Sequence, residues 1–207
     1  FAIMKSLKVI IILISAIVIS SCSKVPFTGR KQMNLLPESI LLEMSFANYS
    51  EILSTNEVVP ASDTRSRMVT NVGNKVSVAV EKFLNENDMG DRVKQYDWKF
   101  NLVKDPTPNA WCMPGGKVVV YEGILPYTLD EAGLATVMGH EIAHAVARHG
   151  NERLSQELVK AGLGMGLQYA LKEKPEETKQ LFMLAYGVGS EIGTLAYSRS
   201  HESESDK

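Results

Sequence analysis

Cysteine is scarce, with two residues, Cys22 and Cys112, in a chain of 207. That excludes a disulfide framework of the kind that staples small secreted domains. A surplus of either charge is also missing. The formal net charge is −2, with acids and bases interspersed, so the basic stripe that marks a nucleic-acid binder is absent and no nucleic-acid partner is expected. The acidic cluster Glu202, Glu204 and Asp206 is too short to form an acidic tail. The chain has no repeat and no low-complexity tract, and its N-terminal apolar run, Val9 to Ile19 (VIIILISAIVI), falls short of the roughly 20 residues a membrane span needs. Histidine is rare too, but three of the four occur in one stretch, HEIAHAVARHG, from His140 to Gly150.

The apolar run follows Lys5 and Lys8 and has the length of a signal-peptide core. It ends at ISSC, Ile19 to Cys22, which resembles the bacterial lipobox. Residues 1–22 therefore read as a lipoprotein signal peptide ending at a lipidated Cys22, with Met4 as the expected initiator. This implies a membrane tether on the periplasmic side of a bacterial envelope. Ser23 in place of an aspartate points to the outer membrane rather than the inner. With Cys22 lipidated, Cys112 has no partner, and its apolar strand-like context marks it as a small buried hydrophobe.

Residues 23–36 read as a linker broken by Pro26 and Gly29, and residues 37–207 as the functional domain. Lys207 interrupts a helical pattern that is expected to continue. Pro37 opens a first helix. Met68, Val69, Val72, Val76, Ala79, Val80 and Phe83 predict a second, by their three-and-four spacing. Tyr96 to Val103 reads as a strand, and NAWCM-PGG-KVVVY as a hairpin. Helices are expected over about 130–149, 151–173 and 176–197, with a last one opening near Ser198. The glycine-rich stretch Leu158 to Leu171 reads as a close helix–helix contact rather than a lid.

The helix over 130–149 has a predicted capping box, Thr128 to Glu131, and an apolar stripe of Leu134, Val137, Met138, Ile142 and Ala145. His140 and His144 share the opposite face one turn apart. That spacing lets two imidazoles reach one tetrahedral ion. Glu141, about 100° around the helix, can contact a water there without taking a coordination position. His149 lies five positions after His144, about 140° around, and is expected to face away as a structural or supporting residue.

A catalytic zinc takes three protein ligands and leaves one position open. The H-x-x-G-x-x-H continuation fails, because Ala147 and Gly150 stand where glycine and histidine are required. A glutamate about 20 residues beyond His144 also fails, since Gly162 to Leu167 holds no carboxylate. The distal cluster YSRSHESESD, Tyr197 to Asp206, remains. Its Glu202 and Asp206 are four apart on one face, suiting a ligand with an acceptor that orients an imidazole. Here the chain resembles the zinc metallopeptidases of the HtpX and CAAX prenyl protease type, in its periplasmic lipoprotein branch. Ser198, Arg199, Glu202 and Asp206 match that family's S-R-x-x-E-x-x-x-D segment, with Ser205 departing from the usual alanine. The segment Asn109 to Leu125 resembles the family's strand beside the cleft.

The resemblance implies an α+β fold, predominantly helical and zincin-like, with a small sheet or hairpin before the histidine helix. It implies one Zn²⁺ held by His140, His144 and Glu202, Glu141 as catalytic base, and Asp206 orienting a ligand. His201, Glu191 and Glu204 are weaker candidates for the third ligand. Asn109 and Ala110 would lie on the strand that pairs with extended substrate. The implied activity is a membrane-tethered metalloendopeptidase that hydrolyses unfolded or misassembled envelope proteins in protein quality control. The alternative is a non-proteolytic zinc-bearing chaperone or assembly lipoprotein.

Overall fold

The computed structural model describes residues 22–162, 175–188 and 197–207. The apolar run Val9 to Ile19, residues 163–171 of the glycine-rich stretch, and Glu191 lie outside the described residues. No helix among those described is long and apolar enough to cross a membrane.

The stretch expected as a linker is folded. Strands β1 (Cys22–Lys24) and β2 (Lys31–Met33) form an antiparallel hairpin, with Ser23 opposite Gln32. Helix α1 (Glu38–Thr55) starts one residue after Pro37 and buries Leu41, Ser45, Asn48, Tyr49 and Ile52 at helical spacing. Helix α2 (Thr64–Glu86) is capped by Asp63, whose side chain accepts from the Arg65 backbone N–H at 2.8 Å. Its buried face includes Val69, Val72 and Leu84. Phe83, expected on that face, is exposed instead and rests on Phe27, ring centroids 5.1 Å apart.

Strands β3 (Lys99–Val103), β4 (Ala110–Met113) and β5 (Lys117–Tyr121) make a sheet of order β3-β5-β4. The expected hairpin is β4–β5, antiparallel, while β3 joins the other side of β5 in parallel. Gly115 and Gly116 turn the hairpin at φ of 81° and 76°, a conformation open to glycine and costly to most other residues. Every residue of β5 is buried, because helices cover both faces. Alternation sends Val118 and Val120 into a core with Val69, Val72, Leu134, Met138 and Ile142. It sends Val119 and Tyr121 into a second core with Leu41, Ile52, Leu154 and Phe182. A strand covered on both faces reads as an unbroken apolar run, which is why KVVVY does. The architecture is helix-rich mixed α/β, with the sheet as its middle layer.

After a one-turn helix, α3 (Leu125–Thr128), comes α4 (Glu131–Ala147). Thr128 is not its cap: the hydroxyl donates to the Leu125 carbonyl at 3.1 Å, closing α3. Leu129 then takes a φ of 65°, and Asp130 caps α4 by accepting from the Gly133 N–H at 2.9 Å. The next departure matters more. Helix α4 ends at Ala147, Arg148 adopts the left-handed φ of 63°, and a new helix α5 (His149–Lys160) begins. It stops at Lys160, short of the expected 173, and Gly162 follows at φ 71°. Helices α6 (Pro175–Ala185) and α7 (Arg199–Ser205) complete the described chain.

Candidate metal centre

Leu134, Met138 and Ile142 press α4 onto the sheet. This holds His140 and His144 on a different face, toward α7. Helix α7 opens at Ser198, whose hydroxyl oxygen accepts from the His201 N–H at 3.4 Å. Glu202 and Asp206, four residues apart, then both reach His140.

The Nε2 atoms of His140 and His144 lie 3.0 Å apart. One Glu202 oxygen is 3.1 Å from His140 Nε2 and the other 3.8 Å from His144 Nε2. One ligand atom from each of the three residues falls within 4.8 Å of the others. The outward nitrogens are engaged as well. His140 Nδ1 is 3.0 Å from Asp206 Oδ1, and His144 Nδ1 is 2.9 Å from His149 Nδ1. A carboxylate lies at each ring nitrogen of His140, Asp206 at Nδ1 and Glu202 at Nε2. With a cation between Nε2 and Glu202, the ring proton belongs on Nδ1, donated to Asp206, and the Nε2 lone pair points inward. Lone pairs and a carboxylate facing one another at this range repel, and a cation relieves the repulsion. Two imidazole nitrogens and a carboxylate oxygen suit zinc. The residues fit the ion.

Burial of His144 and its histidine neighbours His149, His140 and His201 hold its pKa down at about 2. The ring is therefore neutral, as a metal ligand must be. Glu141 sits on the same turn, where burial first and the charge of Glu202 second push it up to about 8. Strand β4 runs beside it, and the buried Cys112 thiol is raised by burial and by Glu141. Cys112 is free and buried, the packing role expected of it.

His149 does not face away. The break at Arg148 rotates it back, so its Nδ1 meets His144 while its Nε2 meets Glu204 Oε2 at 3.0 Å. The 140° expectation assumed one continuous helix. Glu204 turns from the cluster toward His149 and Arg30, and His201 turns toward Glu152, 2.9 Å away. Asn109 and Ala110 are buried at the start of β4, and the Asn109 amide donates to the Gly187 carbonyl at 3.1 Å. Tyr197 escaped sequence reasoning: its ring stacks on His144 at 3.9 Å between centroids, and its hydroxyl donates to the Ala185 carbonyl. The signal was only its place, two residues before the arginine of the distal segment.

Comparison with known proteins finds similarity to metalloendopeptidases. The mitochondrial metalloendopeptidase OMA1 of Schizosaccharomyces pombe is 34% identical over 133 residues, 63% of this chain and 36% of that protein. That of Saccharomyces cerevisiae is 33% identical over 149 residues, 70% of this chain and 42% of the relative. A putative beta-barrel assembly-enhancing protease of Vibrio cholerae is 26% identical over 164 residues, 77% of this chain and 31% of the relative. The chain thus spans well under half the length of each of these. The model of peptidase family M48 matches residues 73–207, which include the histidine helix and the distal carboxylates. The chain belongs to the metallopeptidases of peptidase family M48.

Proposed function

We propose that this chain is a zinc-dependent metalloendopeptidase in which His140, His144 and Glu202 hold the metal and Glu141 moves the proton. One observation carries the reading: donor atoms from α4 and α7 converge within 4.8 Å beside the half-buried carboxylate of Glu141. Zinc bound there supplies Lewis acidity, polarising a peptide carbonyl and acidifying water. Glu141 takes the proton of the attacking water on its carboxylate and delivers it to the leaving amine. Asp206 keeps the proton of His140 on Nδ1, and His149 does the same for His144. Extended substrate adds along the edge of β4 away from β5, by backbone pairing that reads little side-chain identity. Asn109 and Ala110 open that edge.

Unfolded or misassembled envelope proteins are the proposed substrates, reached from a lipid on Cys22 at the periplasmic face of a bacterial membrane, the outer rather than the inner. The lipobox-like ISSC and the similarity to the Vibrio cholerae protease support this setting. The test is casein degradation by the chain with added zinc, with chelator, and as the Glu141→Gln variant. Cleavage that both chelator and substitution abolish is expected. Equal residual cleavage by wild type and Glu141→Gln would sink the mechanism.

A further inference from the structure

The N-terminal hairpin lies outside the residues matched by the family model, yet it is wired to the metal centre. Its connecting loop closes through Val25 and Arg30, whose backbone groups bond at 2.9 Å. Gln32 donates to the Ala147 carbonyl at the end of α4 at 3.0 Å. Arg92 ties Val146 to Lys24 through their carbonyls. Arg30 itself forks two ways. Its Nη1 and Nη2 each donate at 2.8 Å to the two oxygens of Glu152 on α5. Its Nε and Nη2 donate at 2.8 and 3.0 Å to the two oxygens of Glu204 on α7.

Glu204 therefore receives four hydrogen bonds. One oxygen accepts from Arg30 Nε and from the Thr28 hydroxyl at 2.9 Å. The other accepts from Arg30 Nη2 and meets His149 Nε2. A carboxylate has about four lone-pair sites, and with three taken by certain donors the fourth contact must be a donation from His149 Nε2–H. His149 Nδ1 is then a lone pair, so the 2.9 Å contact with His144 must be a donation from His144 Nδ1–H. Ser205 Oγ lies at a longer 3.4 Å from the same nitrogen. With its proton on Nδ1, His144 presents the Nε2 lone pair to the metal position.

We infer that Arg30 is a positioning residue for the metal centre: acting through Glu204 and His149, it sets the tautomer and orientation of His144. This rests on the proposed ligand set. Cys22 lies on β1, so the proposed lipid there would join the chain at the hairpin that steadies the metal ligand.

The test is zinc affinity of the full chain by competition with a chromogenic chelator. It is paired with ¹⁵N–¹H correlation of the histidine rings in the zinc-loaded protein. Arg30→Gln and Glu204→Gln are each expected to weaken zinc binding about 10–100-fold, the usual effect of losing an orienting partner. The double variant should be no weaker than the worse single one, since both act on one path. Arg30→Lys should recover only part, because an ammonium cannot reproduce the two forks. Arg65→Gln, at the distant Asp63–Glu122 pair, should bind as wild type. In wild type, His149 should carry its proton on Nε2, and the variants should lose that single tautomer, which a purely structural arginine would leave in place. Zinc affinity of Arg30→Gln within twofold of wild type overturns the inference and leaves the ligand set standing. So does a wild-type His149 protonated on Nδ1, which needs no variant to fold. A wild-type chain that binds no zinc overturns the ligand set, and this inference with it.

Discussion

His140 and His144 sit one turn apart on α4, each backed by a partner on its outer nitrogen, yet they are held in contrasting ways. The His140 side chain is 27% exposed, and its partner Asp206 is 70% exposed. Behind His144, the His149 side chain has no exposure and Glu204 only 6%. The outer half meets water, where a carboxylate that orients an imidazole competes with solvent. The inner half is dry, and there every polar group must be satisfied by protein or carry a penalty of about 1–3 kcal/mol. A chain of fixed donors therefore runs inward from His144, while a single adjustable contact runs outward from His140. One half of the candidate centre is preset by the fold, and the other is open to solvent.

The largest effect belongs to the residue between the halves. Glu141→Gln should slow peptide hydrolysis by about 10²–10⁴-fold while zinc affinity stays near wild type, as measured by turnover and chelator competition. Zinc affinity then separates the halves. His149→Phe keeps an aromatic ring but leaves the His144 N–H unpartnered and removes one of the four donors to Glu204, so affinity should fall toward the upper end of about 10–100-fold. Asp206→Asn, in water, should lose about tenfold. A larger loss at Asp206 than at His149 would erase the distinction.

The smallest effect is on acid stability of the inner framework. Burial pushes Glu152 up, but Arg30 and His201 outweigh it and hold the carboxyl at about 2. An unfolded glutamate titrates near about 4.3. The depressed native value thus favours the fold above that pH, and the contribution fades as pH falls from about 4.3 through about 2. Glu152→Gln should flatten the loss of melting temperature across that window, and an unchanged slope would place the acid sensitivity elsewhere.

Much of the site was legible because its parts obey local periodicity. His140, Glu141 and His144 are ordered by one turn of helix, and Glu202 and Asp206 by another. The hairpin was readable from its glycines, and Cys112 from its apolar strand. Two of the misreadings, at His149 and Thr128, share a cause, since each depended on where a regular element stops. Arg148 carries no local signal for a left-handed residue, which glycine or asparagine would have announced. The change of helix at that point swings His149 from the far side to the back of His144. Thr128 looked like a cap because nothing in the composition announces Leu129 as a break. Phe83 and Leu84 are adjacent apolar residues, and only packing decides which one enters the core.

The sequence alone therefore determined which groups lie together: two imidazoles and a carboxylate at helical spacing, and two distal carboxylates four residues apart. Those groupings are set by 3.6 residues per turn, whatever surrounds them. Tertiary structure decided how the groups are held. The parallel pairing of β3 with β5, the stacking of Tyr197 on His144, and the fork from Arg30 to Glu152 and Glu204 join residues up to 174 positions apart. Contacts at that separation leave no periodic trace in a single chain. They form because burying a polar group demands a partner, and only the folded protein brings that partner near.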